Sequence, residues 1–140
     1  MPEFRWNPLL DTWTMVATNR QNRPHLLKDH CPFCPGSKNI PLKYDVLAYP
    51  NDFPVMSLNV GATKKEKAEK GVFRRTEAVG QCEVILYSPE HNKKFYQLSD
   101  AHLLKVVELW SQRFKELAKD ERVKYIFEFE NRGEEVGVTM

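Results

Sequence analysis

At 140 residues, with 41% hydrophobic and 29% charged side chains, the chain is the size of a single domain, spanning 1–140, that buries a core of ordinary composition. A net charge of +2 is too small to imply a nucleic-acid partner, and no apolar run approaches the ~20 residues of a membrane-spanning helix. The start, "MPEFRWNPLL", has no basic segment followed by an apolar one, so no secretory signal is expected. Cysteines number three, and Cys82 stands apart from the other two, which argues against a disulfide framework and for a cytoplasmic protein.

In chain order, "TWTMVA" (12–17) mixes β-branched, aromatic and apolar residues and predicts a strand. Between 19 and 43, Pro24, Pro32, Pro35, Gly36 and Pro41 exclude long regular elements. "YDVLAY" (44–49) predicts a second strand, stopped by Pro50. The stretch "GATKKEKAEKGVFRR" is basic but lacks the interleaved aromatics of a single-strand-binding surface, and reads as a solvated loop. "QCEVILYS" (81–88) is the clearest strand, ended by Pro89.

A helix follows, with Ser99 as N-cap and Asp100 as an acid in its first turn. Leu103, Val106, Val107, Trp110, Phe114 and Leu117 recur at three- and four-residue steps and predict one buried face, with His102 on the surface. "VKYIFEFE" (123–130) alternates as a half-buried strand does, and "EVGVTM" predicts another. The expected class is α+β: an antiparallel meander, its sheet crossed by one long packed helix.

The chemistry centres on "HCPFCPG". Cys31 and Cys34 can hold a metal, exchange a disulfide or fill a core. Redox pairs open a helix whose N-terminus lowers the thiol pKa, and Pro35, Gly36 and Pro41 deny this pair such a helix. A metal needs further donors. His91, in the Pro-fixed turn of "YSPEHN", is the best single candidate, with His25 and His30 as local alternatives. Spacing thus offers Cys31, Cys34 and His91 and leaves a fourth ligand unassigned; two core cysteines beside a surface histidine remain open.

"FRWNPLLDTW", "NRQNRP", "CPFCPG", "YPNDFP", "GQCEVILYSPEH" and "FENRGEEVGVT" occur in order along the chain. Together they resemble the N-terminal half of the galactose-1-phosphate uridylyltransferases, in the histidine-triad superfamily. The resemblance implies zinc on Cys31, Cys34 and His91, with a fourth ligand from a His-Pro-His motif expected beyond Met140. It implies that Asn51 and Asp52 hold the uridine and ribose of UDP-glucose, that Ile40 lies near the uracil, and that Asn131 contacts the nucleotide phosphates. Arg20 and Arg23 match a basic pair at the sugar-phosphate site, where two guanidinium forks suit phosphate. In the family this pair reaches across a homodimer to the partner's active site.

The implied reaction moves a uridylyl group from UDP-glucose to galactose 1-phosphate through a covalent histidine intermediate. The nucleophile is the second histidine of His-Pro-His, so no catalytic residue is expected within this chain, which is expected to be inactive by itself. A related adenylyltransferase or phosphorylase on another nucleotide sugar is the nearest alternative. A non-catalytic zinc- and nucleotide-binding module is the other.

Overall fold

The computed structural model describes residues 2–22, 31–59 and 71–132. The elements are β1 (Glu3–Asn7), β2 (Thr12–Val16), a 3-10 turn (Thr18–Asn22), β3 (Leu47–Pro50), β4 (Arg75–Glu77), β5 (Glu83–Leu86), a second 3-10 turn (Phe95–Gln97) and helix α1 (Asp100–Leu117). The chain divides into two compact units, Met1–Arg23 with Asn51–Cys82, and Pro24–Pro50 with Glu83–Met140.

In the first unit, β1 is the centre of an antiparallel sheet of order β2-β1-β4. Strands β1 and β2 form a hairpin in which Asn7 pairs with Thr12. Its tight loop closes because Asn7 Oδ1 accepts from the backbone N–H of Leu9 (3.1 Å) and Leu10 (3.3 Å), while Asp11 takes a left-handed φ of 51° that Asp tolerates. Trp6 and Trp13, opposite each other in the register, meet edge to face with centroids 5.4 Å apart. The Arg74 guanidinium lies 4.1 Å above the Trp6 ring, a cation–π contact at the entrance to β4. Ala78, fully buried, accepts from Ser57 N–H and donates to Pro2 O, tying the chain after β4 to both the start of β1 and the 50s loop.

In the second unit, β3 and β5 pair antiparallel, Leu47 opposite Leu86 and Pro50 opposite Glu83. The second predicted strand therefore runs later than expected and includes Pro50, which tolerates the terminal position because a strand end can spare a donor. The antiparallel α+β class holds, with the described strands divided between two sheets rather than joined in one meander.

Helix α1 begins as its cap signal predicts: Ser99 Oγ accepts from His102 N–H, and Asp100 sits in the first turn. The buried stripe is narrower than expected. Val106 is fully buried and Leu103, Trp110 and Leu117 are partly so, but Val107 and Phe114 are 49% and 52% exposed. The stripe follows 103, 106, 110, 113 and 117, and position 113 is an arginine. Its guanidinium meets Glu83 of β5 in a two-pronged ion pair, Nε to Oε2 at 2.8 Å and Nη2 to Oε1 at 2.6 Å. That pair explains a carboxylate set among apolar strand residues. Trp110 also packs with Tyr87 and Phe95, the three ring centroids lying 5.1–6.4 Å apart. His102 is half-buried rather than free on the surface; its Nε2 donates to Tyr87 O at 2.6 Å.

The segment 123–130 keeps its period-two pattern but joins no ladder among the described residues. Tyr125, Phe127 and Phe129 stack on one another and are 80%, 69% and 70% exposed, so the face expected to be half-buried is the open one. The predicted strand "EVGVTM" lies outside the described residues, as do Arg23, His25 and His30.

Candidate functional site

The loop from Cys31 to Ile40 is shaped by its own backbone. Cys34 N–H reaches Cys31 O (3.3 Å), Ser37 N–H reaches Cys34 O (3.0 Å), and Ile40 N–H reaches Ser37 O (2.8 Å), a run of tight turns. Gly36 adopts φ 78°, a conformation that costs glycine nothing. Ser37 Oγ adds a bond to Cys31 O at 3.1 Å. These turns present both sulfurs on one side, and Phe33 N–H points at Cys31 Sγ from 3.4 Å. His91 comes from elsewhere: β5 delivers the chain to Pro89, and Ser88 Oγ accepts from Glu90 N–H at 3.1 Å to set the turn that carries the imidazole.

Cys31 Sγ, Cys34 Sγ and a His91 ring nitrogen all lie within 4.8 Å of one another, with Cys34 Sγ 3.3 Å from His91 Nδ1. The donor set fits a metal ion. Bond lengths of about 2.3 Å to sulfur and about 2.0 Å to nitrogen put tetrahedral donors ~3.5–3.8 Å apart, within reach of this arrangement. The cysteines are half-buried and His91 is exposed. Burial, and then the adjacent Cys31 sulfur, push the Cys34 thiol above its ordinary pKa. Two sulfurs held this close resist joint ionisation until a cation compensates them.

The structure also shows a residue that sequence reasoning passed over. The Tyr44 hydroxyl lies 3.5 Å from Phe33 O, inside the cysteine loop, and 3.3 Å from Ser88 O, on the approach to His91. Burial, and next the two cysteines, raise its phenol pKa. No spacing rule marks it, because its two acceptors are backbone carbonyls.

Among the residues matched to substrate contacts, Asn51 and Asp52 form a side-chain-closed turn in the first unit. Asn51 Oδ1 accepts from Phe53 N–H at 2.9 Å, and Asn51 N–H donates to Cys82 O at 3.0 Å. Asp52 is exposed. Arg20 is exposed on the 3-10 turn Thr18–Asn22. These two segments are joined, since Asn19 Nδ2 donates to Pro54 O at 2.9 Å; Asn19 is thus a second residue that sequence reasoning missed. In the second unit, Ile40 is 4% exposed and belongs to the core of the cysteine loop, while Asn131 is exposed. Arg23 lies outside the described residues.

The family described as "Galactose-1-phosphate uridyl transferase, N-terminal domain" matches residues 1–140. The chain is 40% identical over 141 aligned residues to the galactose-1-phosphate uridylyltransferase of Thermotoga maritima, covering 100% of this chain and 44% of that protein. It is 31% identical to the enzyme of that name from Streptomyces lividans, covering 99% of this chain and 35% of the relative. The chain therefore spans less than half the length of these relatives. A solved structure titled "Structure of uridylyltransferase" aligns with a TM-score of 0.65 at 24% identity, over 85% of this chain and 36% of that one, a likeness of fold.

Proposed function

Because the chain belongs to the galactose-1-phosphate uridyl transferase family, whose N-terminal domain it matches throughout, we propose that it is the zinc-carrying, uridine-nucleotide-binding part of an enzyme that transfers a uridylyl group between UDP-glucose and galactose 1-phosphate. The observation that carries this reading is the convergence of Cys31, Cys34 and His91 from two distant segments. Two thiolates and an imidazole make a donor set that favours zinc over magnesium, calcium or manganese. Closed by the fourth ligand that the resemblance implies, such a set is a structural zinc site, cross-linking the cysteine loop to the turn after β5.

The chain's own residues take the remaining roles. Asn51 and Asp52 hold uridine and ribose from a turn pre-set by the Asn51–Phe53 bond. Arg20 supplies positive charge to phosphate from a segment fixed to that turn through Asn19. Arg23, Ile40 and Asn131 complete the proposed substrate set. Neither described histidine is at liberty to attack phosphorus: His91 belongs to the metal cluster and His102 is bound to Tyr87 O. Attack stays with the second histidine of the His-Pro-His motif that the resemblance implies. The homodimer implied by the resemblance and the cytoplasmic location expected from the cysteine pattern belong to the same proposal.

The test is metal analysis of protein purified under reducing conditions, with calorimetric titration of UDP-glucose and ADP-glucose. One zinc per chain and tighter binding of UDP-glucose are expected. A metal-free protein with no preference for uridine would overturn the reading.

A further inference from the structure

We infer that Tyr44 is a positioning residue for the metal centre: its hydroxyl spans the two segments that carry the ligands and sets the distance between the cysteine pair and His91 before a metal arrives. This rests on the metal-binding reading above. Three observations carry it. Phe33, whose carbonyl Tyr44 reaches at 3.5 Å, is one of the two residues between Cys31 and Cys34, so the contact reports on the knuckle itself. Ser88, reached at 3.3 Å, is the residue whose Oγ shapes the His91 turn. Tyr44 belongs to neither ligand segment, because it precedes β3, which pairs with β5.

A phenol has one proton for these two carbonyls, which it shares or alternates between, and both contacts are longer than an ordinary O–H···O bond. Such a bridge adds little to global stability. Its effect falls on the geometry of the donors, because the two carbonyls it reaches belong to the two segments that carry the ligands. Partners behind the ligands of metal sites typically change affinity by about 10- to 100-fold when removed.

The experiment is a cobalt(II) titration, followed by the thiolate and d–d absorption bands, of the wild-type chain and of Tyr44→Phe, His91→Ala and the double variant. Phenylalanine keeps the ring and removes only the bridge. Tyr44→Phe is expected to fold with an unchanged far-ultraviolet circular dichroism spectrum, to bind cobalt about tenfold more weakly, and to show d–d bands shifted toward those of His91→Ala. In the His91→Ala background, Tyr44→Phe is expected to cause no further loss, because the bridge acts by aiming the imidazole. Equal affinity of wild type and Tyr44→Phe overturns the inference. So does an equal loss in both backgrounds, which marks a general structural role, and so does a variant that no longer folds. Failure of the wild-type chain itself to bind cobalt overturns the metal reading instead, so the two failures are distinguishable.

Discussion

Cys34 Sγ lies 3.3 Å from Nδ1 of His91, a residue 57 positions further along the chain. Local turns bring Cys34 beside Cys31, whereas the histidine turn follows β5, which pairs with β3. The candidate metal site is thus a tertiary feature, and a metal bound there would link the cysteine loop to the strand pair.

Metal removal should therefore act on stability as well as on the site. A ligand that binds only the folded state stabilises it by about 2.7 kcal/mol at a concentration 100 times its Kd. Thermal melts with and without a chelator are expected to show a zinc-dependent rise in Tm, abolished by Cys34→Ser. Binding should release protons and weaken as the pH is lowered, because thiols must ionise to become ligands. Identical melts in zinc and chelator would sink the proposal.

The Arg113–Glu83 ion pair links α1 to β5, with side chains only 23% and 12% exposed. Replacing Arg113 by Met removes the two-pronged partner of the Glu83 carboxylate. The cost is expected to be about 2–3 kcal/mol, below the figure for fully buried pairs because water still reaches the guanidinium. Urea denaturation should show Glu83→Leu with Arg113→Met recovering at least half of that loss, since an apolar pair needs no compensating charge. A double variant less stable than Arg113→Met would contradict this account.

How much of this was legible in the sequence depended on where each signal lives. The α1 boundary was, because Ser99 and the apolar repeat are local. The misreading of Val107 and Phe114 arose because a helix offers several stripes at three- and four-residue steps, and Glu83 selects the one that contains Arg113. Strands β1 and β4 gave little warning: "EFRWN" is half polar and "RTE" wholly so, and both are fixed by pairing rather than propensity. Of the candidate metal site, the Cys-x2-Cys spacing and the Pro-bound His91 turn were readable. Tyr44 and Asn19 were not, because they act on carbonyls that only the folded chain brings near.

Asp120 offers a pH test free of the metal. Arg122 donates to it from Nε at 2.9 Å and from Nη2 at 2.6 Å, and also through its backbone N–H at 3.0 Å. The side-chain bonds, and next the backbone bond, lower its pKa to about 2. An unfolded aspartate titrates near pH ~3.9. The folded value is the lower one, so the stabilising contribution is complete above about pH 4 and is lost as pH falls through about 2. Carboxyl carbon NMR is expected to place the midpoint at about 2, moving up toward the ordinary aspartate range in Arg122→Gln. A midpoint unmoved by that change would show that Arg122 is not the cause.

Asn51 separates turn-building from substrate recognition. Its Oδ1 accepts from Phe53 N–H, a task that aspartate performs equally well. Asn51→Asp should therefore keep the urea midpoint of the wild type, whereas Asn51→Ala strands the Phe53 donor and costs about 1 kcal/mol. Binding should divide the variants differently. If the amide contacts uridine as proposed, Asn51→Asp loses a donor and gains a charge facing an anionic nucleotide. Its affinity for UDP-glucose in calorimetry is then expected to fall about tenfold or more, equivalent to about 1.4 kcal/mol. Asn19→Ala, which removes the bond to Pro54 O, should weaken binding less and leave the turn closed. Wild-type affinity in Asn51→Asp would mean that the asparagine serves the turn alone, and the uridine contact would have to be sought on another residue.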